Sequence, residues 1–179
     1  FITQYMTALS FVGGGGGNQM FPFYVYDEDG TNRRENITDW ALAQFRTHYA
    51  DDTITKWDIF YYVYALLHHP AYREKFADNL KRDLPRLPFA PGFRAFSAAG
   101  KSLADLHLNY EAHTPYPLEF EWKKGKPASF RVEKMRLNKD KSALVVNDVL
   151  TLKGVPAAAF AYKLGSRSAL DWVIDQYQV

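Results

Sequence analysis

Apolar residues along this chain recur at helical spacing through its middle and then switch to the alternation of a strand. Thr38 stands where it can cap a helix carrying Trp40, Leu42 and Phe45, which fades at Tyr49-Ala50-Asp51. Thr55-Lys56-Trp57-Asp58 spells a capping box, in which each side chain accepts from the other residue's backbone amide. It opens the run Ile59 to Leu67, apolar nearly all round, the pattern of a helix central to a core. Pro70 suits a first helical turn. Tyr72, Phe76, Leu80 and Leu84, spaced by four, predict a helix that Leu84-Pro85 ends. Pro85 to Pro91 predicts an extended connection. Phe96, Ala99, Leu103, Leu106 and Tyr110 then step by three and four, the stripe of a fourth helix.

Strand patterns flank these helices. Met20 to Tyr26 is aromatic and β-branched, with Pro22 at its start or edge. Asp27-Glu28-Asp29-Gly30 is a turn signal, and Asn32 to Asn36 extends a polar connection. Leu118, Phe120 and Trp122 alternate with Glu119 and Glu121, a half-buried strand. Lys123-Lys124-Gly125-Lys126-Pro127 predicts a hairpin-like loop. Phe130 and Val132 alternate with Arg131 and Glu133, but the phase slips before Met135 and Leu137, which predicts a bulge or break. Ala143 to Leu152 predicts one further strand, and Ser166 to Gln176 a last helix. The fold class is α+β: a central helical cluster (38–112), a mostly antiparallel β-sheet in a basic part (115–165) and a helix at the C-terminus. Neither repeats nor a regular βαβ alternation are present.

The chain has 179 residues, 47% of them hydrophobic and 23% charged, enough to bury a core within a single domain. It has no cysteine, which excludes disulfides, thiolate nucleophiles and Cys-based zinc sites and suits a cytoplasmic location. No apolar run approaches the ~20 residues that cross a bilayer, so no membrane partner is expected. The chain begins at Phe1, without an initiator Met or a signal pattern, and reads as an internal cut of a longer polypeptide.

Charge changes the picture more than composition does. The net charge is only +2, but residues 1–122 hold 11 Lys and Arg against 15 Asp and Glu. Residues 123–167 hold 11 against 3. A basic block in a near-neutral chain points to a face that meets a polyanion, or to a solvated lysine-rich sheet face. Lys and Arg supply phosphate contacts and can read base edges. Charge and placement single out Arg33 and Arg34 in the polar turn, and Lys123, Lys124 and Lys126 on the hairpin loop. Arg131, Lys134, Arg136, Lys139 and Lys141 complete the set of candidate DNA contacts.

Other chemistry finds little support. Gly13 to Gly17 could let backbone amides approach an anion, but Asn18-Gln19 follows where a nucleotide-binding loop needs Lys-Ser/Thr. His68 and His69 are adjacent, and His107 and His113 are six apart, so no pair has metal-ligand spacing on one helix face. There is no Gly-x-Ser-x-Gly elbow. The carboxylate pairs Asp51-Asp52 and Glu119/Glu121 read as surface turns and strand faces. Asn36-Ile37-Thr38 matches a glycosylation sequon that chance explains. No catalytic, cofactor-binding or metal residue is therefore expected here.

Longer blocks of sequence carry a resemblance. They are Gly13-Gly-Gly-Gly-Gly-Asn-Gln, Phe21-Pro-Phe-Tyr, Tyr26-Asp-Glu-Asp-Gly30 and Asn36-Ile-Thr-Asp-Trp40-Ala. With them go Ile59-Phe-Tyr-Tyr-Val-Tyr-Ala-Leu-Leu-His-His-Pro-Ala-Tyr-Arg73, Asp83-Leu-Pro-Arg-Leu-Pro-Phe89 and Tyr162-Lys-Leu-Gly-Ser-Arg-Ser-Ala-Leu-Asp-Trp-Val-Ile-Asp-Gln-Tyr177. In this order, over nearly the whole chain, they resemble the C-terminal specificity (target-recognition) region of type ISP restriction–modification enzymes. The resemblance implies a much larger polypeptide in which a nuclease, an ATP-driven helicase-like motor, an adenine methyltransferase and a target-recognition domain act in series. S-adenosylmethionine, ATP and Mg2+ would serve that parent chain. The methyltransferase signature and the nucleotide-binding loop are absent here, so the enzymatic parts belong elsewhere in it. Residues 1–179 are then expected to be one target-recognition domain, inactive alone, with double-stranded DNA and the sibling domains as partners. The alternative is a structural coupling domain that docks the methyltransferase to the motor without reading DNA.

Overall fold

The computed structural model describes residues 2–5, 20–164 and 166–177. The chain divides into two compact units, Phe1–His113 and Thr114–Val179. Helices dominate the first and an antiparallel sheet the second, giving an α+β fold that ends on a helix.

The first unit opens on a short antiparallel ladder, β1 (Tyr24–Val25) with β2 (Arg34–Glu35). The stretch read as a polar connection thus contains a strand. Gly30, at φ +78, closes the intervening turn with its amide on the Asp27 carbonyl at 2.9 Å. Helix α1 (Asp39–Tyr49) starts where Thr38 accepts from the Ala41 amide, and stops at Ala50 in the left-handed region. Helix α2 (Lys56–His68) begins with both halves of the Thr55–Asp58 capping box in place. Its all-round apolar character is matched by neighbours on several sides: α1, α3 (Pro70–Lys75) and, most extensively, α4 (Phe93–Leu108). Phe45, Ile54, Ile59, Tyr62, Leu66, Tyr72 and Phe93 form the buried centre.

Two helical expectations need correction. The third helix ends at Lys75 rather than Leu84, and the chain continues in turns. Asp78 and Asn79, poor helix formers, follow Phe76 and Ala77, and Asn79's carbonyl takes the amides of Arg82 and Asp83. Phe76 and Leu80 still pack on the core, so their spacing reports contact without a continuous helix. In α4 the buried face is Phe93, Ser97, Gly100 and Ala104, one position round from most of the apolar stripe. Small residues let α4 press against α2: a Cβ on Gly100 would stand 1.9 Å from the Tyr61 carbonyl oxygen.

The Pro-rich connection is extended as expected, and three tyrosines pin it. Tyr49 and Tyr72 donate to the Ala90 and Arg86 carbonyls, each at 2.7 Å. Fully buried Tyr62 donates to the Pro88 carbonyl while accepting from the Ala90 amide at 2.8 Å. Burial, with Tyr62 beside it, pushes the Tyr49 phenol far above the usual tyrosine range.

The second unit holds a four-stranded sheet in the order β3 (Glu119–Trp122), β6 (Leu150–Lys153), β5 (Ala143–Val145), β4 (Arg136–Leu137). The single strand expected over 143–152 is two, folded back on each other through residues 146–149. The expected slip before Met135 is real: regular strand begins only at Arg136. Trp122, Leu150, Leu152, Leu144 and Leu137 share one sheet face and pack with Met135, Val146, Leu170 and Ile174. Phe120, expected on the buried face of that strand, is 52% exposed. A short ladder, β7 (Lys163–Leu164) with β8 (Arg167–Ser168), leads into α5 (Ala169–Gln176), which starts after Ser168 rather than at Ser166 because Ser168 and Asp171 form its capping box.

Candidate nucleic-acid interface

One buried polar residue organises the basic end of the sheet. Asn147, 7% exposed, makes the turn between β5 and β6: its Oδ1 accepts from the Val149 and Leu150 amides at 2.9 and 2.8 Å. Its Nδ2 donates to the Ser129 and Arg131 carbonyls at 2.9 and 2.8 Å. The turn after β3 joins the same assembly, since the Lys123 amide donates to the Val149 carbonyl at 2.9 Å. Gly125, at φ +79, lets Lys123 to Lys126 reverse tightly. Lys126 pairs with Asp148, and that contact, aided by Lys123, holds the Asp148 carboxyl below the usual carboxylate range. Exposed pairs of this kind stabilise little, so Lys126 can exchange Asp148 for another anion at small cost.

The structure therefore brings Lys123, Lys124, Lys126 and the backbone of Arg131 around one turn. Arg136 lies on strand β4, opposite Val145 and on the face away from the apolar core. Lys139 and Lys141 belong to the β4–β5 turn, at the other end of the sheet. Lys141 is held at φ +62, with its ammonium 5.2 Å from the Phe160 ring centre. Lys134 is exposed on the approach to β4. Glu119 and Glu121 fall inside this unit, which tempers its basicity: residues 114–179 carry 11 Lys and Arg against 7 Asp and Glu, a balance of +4. Lys153 takes up part of that acidity by pairing with Glu121 at 2.5 Å.

The family described as the Type ISP C-terminal specificity domain matches residues 1–179. The chain belongs to this family. Solved structures similar to this Type ISP specificity domain include the following three. A cryoEM structure of a DrdV–DNA complex is 46% identical, covers 87% of the domain and superposes with a TM-score of 0.76. A nuclease-deletion mutant of the Type ISP restriction-modification enzyme LlaGI, in complex with a DNA substrate mimic, is 34% identical over 99% of the domain, with a TM-score of 0.75. The ATP-dependent Type ISP enzyme LlaBIII bound to DNA is 28% identical over 87%, with a TM-score of 0.71. The domain spans 16%, 15% and 10% of those three chains. No curated protein matches it.

The remaining candidates of the Type ISP domain lie in its first unit. Arg34 pairs with Asp27 at 2.6 Å, and Asn32 with Arg34 holds that carboxyl low. Arg33 lies 4.6 Å from the Tyr24 ring centre. Both arginines thus stabilise the β1–β2 hairpin. Asn36 of the sequon bonds Pro22 and Phe23. Gly13 to Gly17 lie outside the described residues. Among the described residues no group of three or more His, Asp or Glu is arranged for a metal, and no helix is long and apolar enough to cross a membrane. Sequence reasoning missed Asn147, a polar residue inside an apolar run, and that interruption was the signal available.

Proposed function

We propose that this domain recognises the DNA target for a Type ISP restriction–modification polypeptide and does so with its second unit. The observation that carries the reading is a surplus of available cations there. Lys123, Lys124, Arg131, Lys134, Arg136, Lys139, Lys141 and Lys163 form no ion pair among the described residues, while Lys126, Lys153 and Arg167 do. Exposed cations without carboxylate partners are free to displace counterions from phosphates, which fixes register on a duplex. The solved DNA complexes of similar enzymes support the same reading. Arg33 and Arg34, engaged in their hairpin, would act as secondary contacts.

In this reading the domain has no catalytic residue and binds no cofactor of its own. Methyl transfer with S-adenosylmethionine and ATP- and Mg2+-dependent motor and nuclease activity belong to the rest of the polypeptide, in the cytoplasm. A second reading, coupling of sibling domains, draws on exposed apolar surface in the first unit: Trp40 on α1 is 73% exposed. The two separate in a titration of random-sequence duplex at several salt concentrations, with wild type against a Lys123→Gln, Lys124→Gln, Lys126→Gln variant. Recognition by this surface lowers the slope of log affinity against log salt by about 0.9 for each lysine that meets a phosphate. An unchanged slope and affinity would reject it in favour of coupling.

A further inference from the structure

Phe130 is 68% exposed, yet hydrogen bonds hold the backbone on both sides of it. Asn147 Nδ2 bonds the carbonyls on both sides of it, Ser129 and Arg131, and the Arg131 amide donates to Ser129 Oγ at 3.3 Å. Asn147 is buried, and its bonds to the two carbonyls are partly shielded from water. One edge of the Phe130 ring system is fixed as well: Trp122 meets it edge-on, with ring centres 5.2 Å apart, and Phe120, itself 52% exposed, lies 6.3 Å away. A phenyl ring recruited only for the core would be buried. This one is exposed on a hydrogen-bonded backbone and beside Trp122, so part of the entropy of ordering it is lost before any partner arrives.

The surroundings state the partner's chemistry. Lys123, Lys124 and Lys126 lie in the turn joined to the same Asn147 assembly, and Arg131 follows Phe130 directly. From residue 123 to residue 136 the chain carries six Lys and Arg against one acid, Glu133. A partner that offers phosphates to the cations and flat apolar surface to the ring is a nucleic acid. We propose that Phe130 is an apolar base contact of this domain, pressed against the bases while Lys123, Lys124 and Arg131 take the flanking phosphates. Asn147 is its positioning residue. This rests on the DNA-recognition reading above and adds to it a residue that senses base identity or stacking rather than charge. Wedges of this type act by partly unstacking a base step, so they discriminate among sequences by how readily each deforms.

The test uses the full polypeptide that carries the domain, as wild type, Phe130→Ala, Phe130→Leu and Lys124→Gln. A pool of random duplexes is first selected on the wild type, and affinities for selected and unselected duplex are then measured at several salt concentrations. Phe130→Ala is expected to reduce the preference for selected over unselected duplex by about 5- to 100-fold, the range typical of one base position in a specific site. Its salt slope should stay at the wild-type value, while Phe130→Leu retains part of the preference. Lys124→Gln should lower the slope on both duplexes and spare the preference. If Phe130→Ala keeps the full preference while Lys124→Gln flattens the slope, the base contact is wrong and the DNA surface stands. If neither variant changes DNA binding, both readings fall. If Phe130→Ala keeps the preference but lowers the thermal midpoint or uncouples methyl transfer, Phe130 packs on another protein segment, which also overturns the proposal.

Discussion

At the scale of single residues, Asn147 shows how much one buried amide can decide. It satisfies two amides and two carbonyls that the reversal between β5 and β6 and the loop before β4 would leave unpaired. Asn147→Ala removes the partner of two buried amides and two part-buried carbonyls, and is expected to lower the stability of the second unit by about 2–4 kcal/mol. Urea denaturation followed by tryptophan fluorescence checks this, since Trp122 and Trp172 report on that unit; a loss within 0.5 kcal/mol of wild type would refute it. The caps at Thr38 and Thr55 were legible because their partners lie within three residues. Asn147 was not, because its partners Ser129 and Arg131 lie 18 and 16 residues away.

At the scale of elements, α4 meets α2 through large rings at its start, Phe93 and Phe96 on Tyr62, and through small residues beyond them. Ala99 is exposed and Leu106 largely so, while Ser97, Gly100 and Ala104 are buried. Apolar periodicity marks a helix well but does not say which part of its circumference meets a partner at close range. Gly100→Ala forces a methyl into the Tyr61 carbonyl, and the helices must separate. A loss of about 2–3 kcal/mol is expected, against a gain in helix propensity of under about 1 kcal/mol. Thermal unfolding of the variant decides the sign.

The same pair of helices carries a pH dependence. His107 on α4 meets the Tyr64 hydroxyl at 2.6 Å, and His68 on α2 meets the Tyr64 carbonyl at 2.8 Å. Burial lowers the pKa of both, and His68 lowers that of His107 further. Folded pKa values below the unfolded one mean that the unfolded chain binds protons the folded chain refuses. Stability is therefore complete above about pH 6.5 and declines as pH falls from there toward the folded values. The thermal midpoint should fall between pH 7.5 and pH 5.5, and a His68→Gln, His107→Gln variant should fall less; equal slopes would refute the assignment.

At the scale of the whole molecule, the chain's own order of residues determined the family, the α+β class and the sites of most helices. These depend on local signals, namely caps, prolines, spacing and long blocks of text, that act over a few residues. The shift from a balance of −4 over residues 1–122 to +8 over residues 123–167 was also legible, as a count. Tertiary structure redistributed it. The unit boundary at 113–114 draws Glu119 and Glu121 into the basic unit, strand pairing sets Lys153 against Glu121, and the sheet sends Lys139 and Lys141 to the end opposite Lys123 and Lys126. Salt dependence of DNA binding should follow this placement, with Lys123→Gln and Lys124→Gln flattening the slope and Lys153→Gln, opposite Glu119 and Ala143 at the far end of the sheet, leaving it nearly unchanged. The sequence alone lists which side chains can bind a phosphate. Strand register and one buried asparagine decide which of them stand together, because both act between residues far apart in the chain.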